Sequence, residues 1–313
     1  MKVVILGKGI MLANLILGAR AAGADIVGVF RYEYTEESKL KILISDFFKP
    51  APEVTMIKEL KLHQIRMSSA NSEYFQKLLI SLNPDLMIVG TWGEKICAKT
   101  YNIPKIATVN VHPSLLPKYR GPNPYMQAIL HGEAYSGITI HLMNDKFDSG
   151  AILKQEKVRI FETDTSKELR ERTVREARNL VTELITDLNQ KVLMPINQDE
   201  RYATYFPNIT GDEKMLDFSI QTAEEISATV RALHPFLPCY ITHKNKFFVV
   251  DPYNIKILGK SNKKPNSIIA KNDVKSSVTI VCADQKAVQF SNLKLYKSSN
   301  VKKYIKNKVK LSN

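Results

Sequence analysis

Short apolar runs alternate with segments of helical periodicity over the first 190 residues. Continuous apolar runs are typical of strands buried in a parallel sheet, and apolar residues three and four apart are typical of helices. The predicted strands are residues 2–6, 24–30, 85–90, 107–111, 137–143 and 151–160. The predicted helices are residues 10–22, 72–82, 123–132 and 165–188. This alternation indicates an α/β domain with a mainly parallel sheet and helices on both faces.

The pattern changes after about residue 190. Residues 191–220 are mostly polar, so a connector is predicted there. A short helix follows over residues 222–233, and then come only short alternating runs separated by turn residues. Such runs favour a small barrel or sandwich. The predicted organisation is a domain over 1–190, a connector over 191–220 and a small β-domain over 221–313.

Positive charge is concentrated in the C-terminal quarter. From residue 244 onward the chain has 16 lysines and three acids, a net charge of +13, so residues 1–243 carry only +1 of the total +14. A surface of this kind favours a polyanion such as RNA. Lysine-rich tails are also produced by nucleotide bias in an AT-rich genome, and the sequence leaves both interpretations open.

Composition also indicates the cellular environment in which the protein is expected. No apolar run approaches the roughly 20 residues that a membrane-crossing helix needs, so no membrane span is expected. The apolar N-terminus is similar to a signal peptide, but its Gly-Lys-Gly turn favours strand, turn and helix instead. Cys97, Cys239 and Cys282 lack metal-ligand spacing. Reduced thiols in a cytoplasmic protein without a metal site are therefore expected.

The stretch ATVNVHPSLLPKYRGP, residues 107–122, ends a predicted strand on Asn110 and His112. Residues two apart on a strand point to the same face, and ligands of open parallel sheets bind beyond the carboxyl ends of the strands. An amide and an imidazole that reach one centre suit a developing oxyanion, and histidine also moves protons near neutral pH. The alternative is that both side chains hydrogen-bond the backbone of the turn.

A second loop, MNDKFDSG over residues 143–150, also follows a predicted strand. Asp148 is expected to fold back to the same sheet edge and to orient the imidazole, as a carboxylate does in many acid–base sites. Asp145 is the competing aspartate. A turn-capping role for either aspartate is the alternative.

Together these residues closely resemble the core signature of the folate-dependent formyltransferases. The shared elements are Asn-x-His, a Ser-Leu-Leu-Pro loop, a Gly-x-Thr strand and an Asp-Ser-Gly turn, in the family's order. The resemblance implies a Rossmann-like domain that transfers a formyl group from 10-formyltetrahydrofolate to a primary amine without a metal. In that family the catalytic set corresponds to Asn110, His112 and Asp148: the first two hold the oxyanion, and Asp148 orients the histidine and helps remove the amine proton.

The same resemblance implies where the formyl donor binds. The loop that lines the donor site corresponds to Ser114, Leu115, Leu116 and Pro117. Backbone that holds the pterin corresponds to Thr91, Trp92, Gly93 and Asn144. Trp92, the only tryptophan, is also consistent with a packing role.

The rest of the chain resembles the C-terminal domain of the methionyl-tRNA formyltransferases, most clearly over residues 203–236. This resemblance implies a small barrel similar to an OB-fold, and a basic barrel beside a formyl-transfer site fits a tRNA acceptor. The predicted acceptor contacts are Lys263, Lys264, Lys302, Lys303 and Arg120. For Arg120, in the KYRG segment, a solvated loop arginine is the alternative.

Three departures keep the acceptor open. The segment over residues 31–50 lacks the Gly- and Arg-rich loop of the tRNA enzymes, HPFLPC replaces their Pro-Trp-Pro-Gly run, and the opening GKGI is similar to that of some sugar formyltransferases. Methionyl-tRNA is the first expectation and a nucleotide-linked amino sugar the second. A non-catalytic RNA-binding paralogue is third, because all three catalytic side chains are present. The sequence does not predict the oligomeric state.

Overall fold

The computed structural model describes residues 1–32, 51–67, 69–209, 216–237, 239–243, 246–272 and 276–295. Most of the unusual segment over residues 31–50 lies outside the described residues. So do two of the predicted acceptor lysines, Lys302 and Lys303.

Seven strands form the first sheet. They are β1 (Lys2–Gly7), β2 (Asp25–Tyr32), β3 (Gln64–Met67), β4 (Leu86–Gly90), β5 (Ala107–His112), β6 (Tyr135–Leu142) and β7 (Ile152–Arg159). The strand order is β3-β2-β1-β4-β5-β6-β7. The first five of these pair in parallel, and β6 and β7 pair antiparallel. The predicted Rossmann-like, mainly parallel sheet is confirmed, with β3 as an additional edge strand that the pattern did not indicate.

Seven helices are present in the described ranges. They are α1 (Gly9–Ala21), α2 (Pro52–Glu59), α3 (Glu73–Leu82), α4 (Ala98–Tyr101), α5 (Pro124–Leu130), α6 (Ser166–Gln190) and α7 (Ala223–Leu233). The predicted residues cap the start of α6: Glu168 Oε2 accepts the Thr165 N–H at 3.0 Å, and Thr165 Oγ1 accepts the Lys167 N–H at 3.2 Å. None of the helices in this part of the chain is long and apolar enough to cross a membrane.

Helices cover both faces of the first sheet. On one face, Phe75 of α3 packs in the same buried cluster as Val89 of β4. The next residue, Gly90, faces the other way, where a Cβ would lie 2.9 Å from the side chains of Met11 and Leu15 of α1. Because successive strand residues point to opposite faces, α1 and α3 lie on opposite sides of the sheet.

Short antiparallel strands make up most of the C-terminal part. They are β8 (Tyr240–His243), β9 (Lys246–Val249), β10 (Ile255–Lys260), β11 (Ile268–Asn272), β12 (Ser277–Val281), β13 (Lys286–Phe290) and β14 (Lys294–Leu295). The two sheets have the orders β10-β13-β12-β11 and β14-β9-β8. Their buried residues share a core with α7, which contributes Ile226 and Val230. The predicted small antiparallel domain is confirmed, and closure into an OB-type barrel stays a prediction.

The chain divides into two compact units. The first contains Met1–Gly121, Tyr135–Arg159 and Arg170–Tyr205. The second contains Pro122–Ala134, Ile160–Leu169 and Phe206–Asn313. Two short segments from the predicted first domain thus cluster with the second unit. The predicted boundaries at residues 190 and 220 stay predictions.

We expect Gly18→Ala to destabilise the first unit, although alanine is favoured over glycine in an exposed helix by about 1 kcal/mol. A Cβ at Gly18 of α1 would lie 2.5 Å from the carbonyl oxygen of Arg178 and 2.9 Å from Cβ of Val181, both on α6. Relieving such an overlap typically costs about 1–3 kcal/mol. Urea unfolding measures the difference, with Arg20→Ala at an exposed position of α1 as the control. A stabilised Gly18→Ala protein would contradict this close packing.

Candidate active site

Three predicted catalytic side chains meet beside β5. Asn110 and His112 belong to β5, and Asp148 lies in the turn between β6 and β7. Asn110 Nδ2 lies 3.2 Å from Asp148 Oδ1, and His112 Nδ1 lies 3.5 Å from the same oxygen. The His112 and Asp148 side chains are 6% and 10% exposed, whereas Asn110 is half-buried. An amide, an imidazole and a carboxylate therefore converge on one point.

The partners of His112 decide where its protons lie. Its Nε2 lies 2.9 Å from the carbonyl oxygen of Tyr119. A carbonyl oxygen only accepts, so Nε2 carries a hydrogen and a second proton would be taken up at Nδ1, next to Asp148. Burial lowers the pKa of His112 from its ordinary value, and the charge of Asp148 offsets only part of that effect. The neutral ring therefore has its free lone pair on Nδ1.

Asp148 is held as a buried anion. Burial raises the pKa of its carboxyl group, but the nearby His112 and His141 and the Gly121 N–H, which donates to Oδ2 at 2.9 Å, lower that pKa to about 2. The backbone of Asp148 is left-handed, with φ of 53°. The competing Asp145 is exposed and accepts a hydrogen bond from a tyrosine hydroxyl at 2.9 Å. Of the two aspartates considered, Asp148 is the one beside the histidine.

A second histidine, His141, completes the cluster, and the sequence analysis missed it. It lies on β6 opposite Asn110. Its Nδ1 donates to the carbonyl oxygen of Leu142 at 2.8 Å, so in the neutral ring Nε2 accepts from Asn110 Nδ2 at 3.2 Å. His141 Nε2 is also 3.7 Å from Asp148 Oδ1. His141 could have been predicted only from its pairing with Asn110, which follows from the register of β5 and β6 and not from the hydrophobic pattern of β6 alone.

The Gly-x-Thr strand supports the Ser-Leu-Leu-Pro loop. Thr139 Oγ1 donates to the Ser114 carbonyl oxygen at 2.6 Å and accepts the Leu116 N–H at 3.3 Å. Gln155, on β7, donates to the Leu116 carbonyl oxygen at 2.9 Å. The threonine of this motif therefore fixes the loop by side-chain hydrogen bonds to its backbone.

The four predicted donor-binding residues of this loop differ in exposure. Ser114 is fully buried and its hydroxyl donates to the carbonyl oxygen of Lys118 at 2.8 Å, and Leu116 is 3% exposed. Leu115 and Pro117 are half-buried. Ser114 and Leu116 thus stabilise the loop, while Leu115 and Pro117 have surface available for a ligand. Donor binding by all four stays a prediction.

Thr91 and Gly93 lie just beyond β4, which pairs with β5. Val89 of β4 pairs in parallel with Asn110 of β5, so the chain leaves β4 at the same sheet edge as His112. Both Thr91 and Gly93 are exposed. This is the edge at which the donor site is predicted, and a pterin contact there stays a prediction.

Trp92 and Asn144 both make contacts with other residues of the protein. The Trp92 ring packs edge-on against Tyr32, with centroids 4.8 Å apart, and its N–H donates to Glu94 at 3.4 Å. Asn144 is exposed, and its Oδ1 accepts from the Ser149 hydroxyl at 3.1 Å. These contacts favour packing for Trp92 and turn capping for Asn144, while their binding roles stay predictions.

The predicted acceptor residues fall into three groups. Arg120 is 11% exposed and contacts Glu200 through both terminal nitrogens, at 3.0 and 2.7 Å. A phosphate would have to compete with that carboxylate. Lys263 and Lys264 are exposed, and Lys302 and Lys303 lie outside the described residues. Acceptor binding by all five stays a prediction.

Other ligand sites are less evident in the described part of the chain. The first N–H of α1, that of Gly9, donates to Glu53 Oε1 at 3.0 Å, and Glu53 is 1% exposed. A protein carboxylate therefore occupies a helix start of the kind that often binds phosphate. Among the described residues, no three His, Cys, Asp or Glu side chains are grouped so that they could hold a metal ion.

Sequence comparisons match both parts of the chain. Residues 1–185 match the model of the formyl transferase domain, and residues 208–308 match the formyl transferase C-terminal domain. The methionyl-tRNA formyltransferase of Lactiplantibacillus plantarum is 32% identical over 247 residues, which are 78% of this chain and 76% of that protein. The enzyme of that name from Enterococcus faecalis is 29% identical over 93% of this chain and 90% of its own length.

Solved structures share the fold at lower identity. The N-formyltransferase of Helicobacter canadensis, in complex with folinic acid and dTDP-3-aminofucose, aligns with a TM-score of 0.64 at 16% identity, covering 95% of this chain and all of that one. HypX from Aquifex aeolicus, in complex with tetrahydrofolic acid, aligns with a TM-score of 0.60 at 17% identity, covering 98% of this chain and 48% of that one. With both domain models matched over most of its length, the chain belongs to the formyl transferase family and is a formyl-transferring enzyme.

Proposed function

We propose that this enzyme transfers the formyl group of 10-formyltetrahydrofolate to the amino group of methionyl-tRNA. The observation that carries the proposal is that Asn110 Nδ2 and His112 Nδ1 both lie within 3.5 Å of Asp148 Oδ1. Acyl transfer to an amine needs a hydrogen-bond donor for the carbonyl oxygen and a group that accepts the amine proton. The cluster contains both, and the attacking amine itself is the nucleophile.

Two nitrogen atoms are in position to bind the formyl oxygen. Asn110 Nδ2 lies 3.2 Å from each of its acceptors, at the long end of ordinary hydrogen bonds, so a developing oxyanion can compete for one of its hydrogens. His112 Nδ1 lies beside it and donates once it is protonated. A donor of this kind commonly stabilises the transition state by about 2.7–4 kcal/mol. The folate supplies the formyl group, whose carbonyl oxygen these two donors would hold.

Asp148 and His112 have different roles in the proton transfer. The neutral ring accepts a proton at Nδ1, and the ionised carboxylate 3.5 Å away stabilises the resulting imidazolium. The hydrogen bond from Nε2 to the Tyr119 carbonyl oxygen holds the ring in the orientation that presents Nδ1. His112 therefore acts as the base that takes the amine proton, and Asp148 as its electrostatic partner. When the bond between the formyl carbon and the folate nitrogen breaks, the imidazolium gives this proton to the departing nitrogen, and His112 is neutral again.

The relatives favour methionyl-tRNA as the acceptor. Proteins with that activity in their names match this chain at about 30% identity across both domains. The C-terminal part carries most of the net charge, and its exposed Lys263 and Lys264 suit tRNA phosphates. A tRNA acceptor also implies a cytoplasmic enzyme, in line with the free thiols of Cys97, Cys239 and Cys282.

A nucleotide-linked amino sugar is the second candidate. The structure of the Helicobacter canadensis enzyme holds dTDP-3-aminofucose and covers this chain almost completely. Its identity of 16% supports a shared fold and not a shared acceptor. The candidate is kept because the GKGI turn and residues 31–50 also depart from the pattern of the tRNA enzymes.

Replacing the central residues should stop transfer and leave donor binding largely intact. We expect His112→Ala or Asp148→Asn to lower kcat by about two to four orders of magnitude, because each removes part of the charge stabilisation. Asp145→Asn, which changes the competing exposed aspartate of the same turn, is the matched control. Stopped-flow transfer rates and calorimetric titration with tetrahydrofolate measure the two effects. Full activity in either central variant would disprove the site assignment.

The pH dependence of transfer should reflect the lowered pKa of His112. A lowered pKa keeps the ring neutral to more acidic pH, so we expect a flat rate near neutrality and a fall only below 6.5, the ordinary value. Asp148→Asn should move the midpoint to still lower pH, because the carboxylate raises the pKa of His112. NMR titration of the ring and rate profiles test this. A midpoint above 6.5 would contradict it.

The acceptor can be identified by direct competition. We expect tetrahydrofolate release from 10-formyltetrahydrofolate with methionyl-tRNA, and none with uncharged tRNA, which lacks the amine. A panel of nucleotide-linked amino sugars is assayed in parallel, with the Asp148→Asn protein as the blank. Turnover with an amino sugar alone would replace methionyl-tRNA by the second candidate and would leave the formyl-transfer site unaffected.

A further inference from the structure

We propose that Gln198 is a positioning residue of the active site, which locks the Asp148 turn to the segment that holds His112. The inference rests on the proposed roles of Asp148 and His112. Gln198 lies in the stretch predicted as a polar connector, and its side chain touches neither of those two side chains. It acts on the backbone around them.

The amide nitrogen of Gln198 fixes the Asp148 turn from one side. Nε2 donates to the carbonyl oxygens of Asp148 and Gly150, both at 2.8 Å. A primary amide has two N–H groups, so both donors are used on this one turn. The distances are short for N–H···O bonds, which indicates that the contact is well formed.

The amide oxygen of Gln198 reaches the opposite segment. Oε1 accepts from Arg120 Nη2 at 2.8 Å and from Arg120 Nε at 3.3 Å. The two neighbours of Arg120 in sequence are the residues that hold the catalytic pair. Tyr119 offers its carbonyl oxygen to His112 Nε2, and Gly121 donates its N–H to Asp148 Oδ2. One glutamine thus connects the residues that orient both side chains.

A second contact clamps the same segment a few residues later. The Tyr119 N–H donates to Thr204 Oγ1 at 2.8 Å, and the Arg120 N–H donates to the Thr204 carbonyl oxygen at 2.9 Å. Thr204 N–H in turn donates to the Pro117 carbonyl oxygen at 3.2 Å. Residues 198–204 therefore form a strap along the catalytic loop, and Gln198 is the part of the strap that reaches Asp148.

The Asp148 turn needs such support. A non-glycine residue at a φ of 53° is in the left-handed region, which is unfavourable unless the surrounding structure holds it. Gly150 leaves little room for adjustment, because a Cβ there would lie 1.8 Å from the Leu142 carbonyl oxygen. A displacement of about 1 Å at a catalytic group can lower the rate by about 10²-fold. Loss of the two Gln198 hydrogen bonds is therefore expected to lower the rate of formyl transfer.

The test compares Gln198→Ala and Gln198→Glu in the full-length enzyme. The glutamate keeps an acceptor for Arg120 but cannot donate to the two carbonyl oxygens, so it isolates the half of the contact that holds Asp148. Gln190→Ala, at an exposed position at the end of α6, is the matched control. We expect both Gln198 variants to lose about 10- to 100-fold in kcat, with KM for the formyl donor changed less than about threefold, and the control to keep the wild-type rate.

A second readout separates positioning from a general structural role. The titratable groups that face His112 are Asp148 and His141. If the carboxylate moves away, the NMR titration midpoint of His112 should fall towards that of Asp148→Asn, which a change elsewhere in the fold would not cause. The double variant Gln198→Ala with Asp148→Asn should be no slower than Asp148→Asn alone, because both act on one interaction.

The outcomes are distinguishable. Wild-type kcat in Gln198→Ala, or an unchanged His112 midpoint in a slower Gln198→Ala protein, would overturn the positioning role while Asp148→Asn remains strongly impaired. Wild-type kcat in Asp148→Asn would instead remove the proposed active site, and the positioning role with it.

Discussion

The proposed active site depends on one buried carboxylate that remains charged. Burial raises the pKa of Asp148, but His112, His141 and the Gly121 N–H lower it further, so the carboxylate is still ionised. The charge of Asp148 in turn raises the pKa of His112, which burial lowers, so protonation at Nδ1 is easier than it would be without Asp148. Asp148 and His112 therefore each shift the pKa of the other. In an exposed position with free rotation, water would weaken this effect.

Few of the contacts that hold this pair are made by the catalytic side chains with one another. The Tyr119 carbonyl oxygen selects the protonated nitrogen of His112, and the Gly121 N–H satisfies the second oxygen of Asp148. Thr139 and Gln155 fix the loop that leads there. A cluster of this kind is prearranged before any substrate binds, which is the condition under which electrostatic stabilisation contributes most to catalysis.

The acceptor is a separate question from the chemistry. The cluster beside β5 needs only an amine with access to the formyl carbon, so the same centre can serve a tRNA or an amino sugar. Discrimination between acceptors must therefore come from residues outside this cluster, and the lysines of the C-terminal part and residues 31–50 are the candidates from the sequence. Fold similarity to sugar enzymes and sequence similarity to tRNA enzymes are compatible for this reason.

The sequence by itself determined the sheet class and the order of most elements, because hydrophobic periodicity is a local property of the chain. It also predicted that Asn110, His112 and Asp148 form one site, because the strand-end motif is local too. It did not reveal β3, His141 or Gln198. His141 acquires its role from strand register, and Gln198 from a contact 50 residues away along the chain. The hydrogen bond of Ser114 to the Lys118 carbonyl oxygen and the packing of Trp92 on Tyr32 likewise depend on the folded chain. Only the tertiary structure decided these points, since a hydrogen bond between distant residues requires the backbone geometry that brings them together.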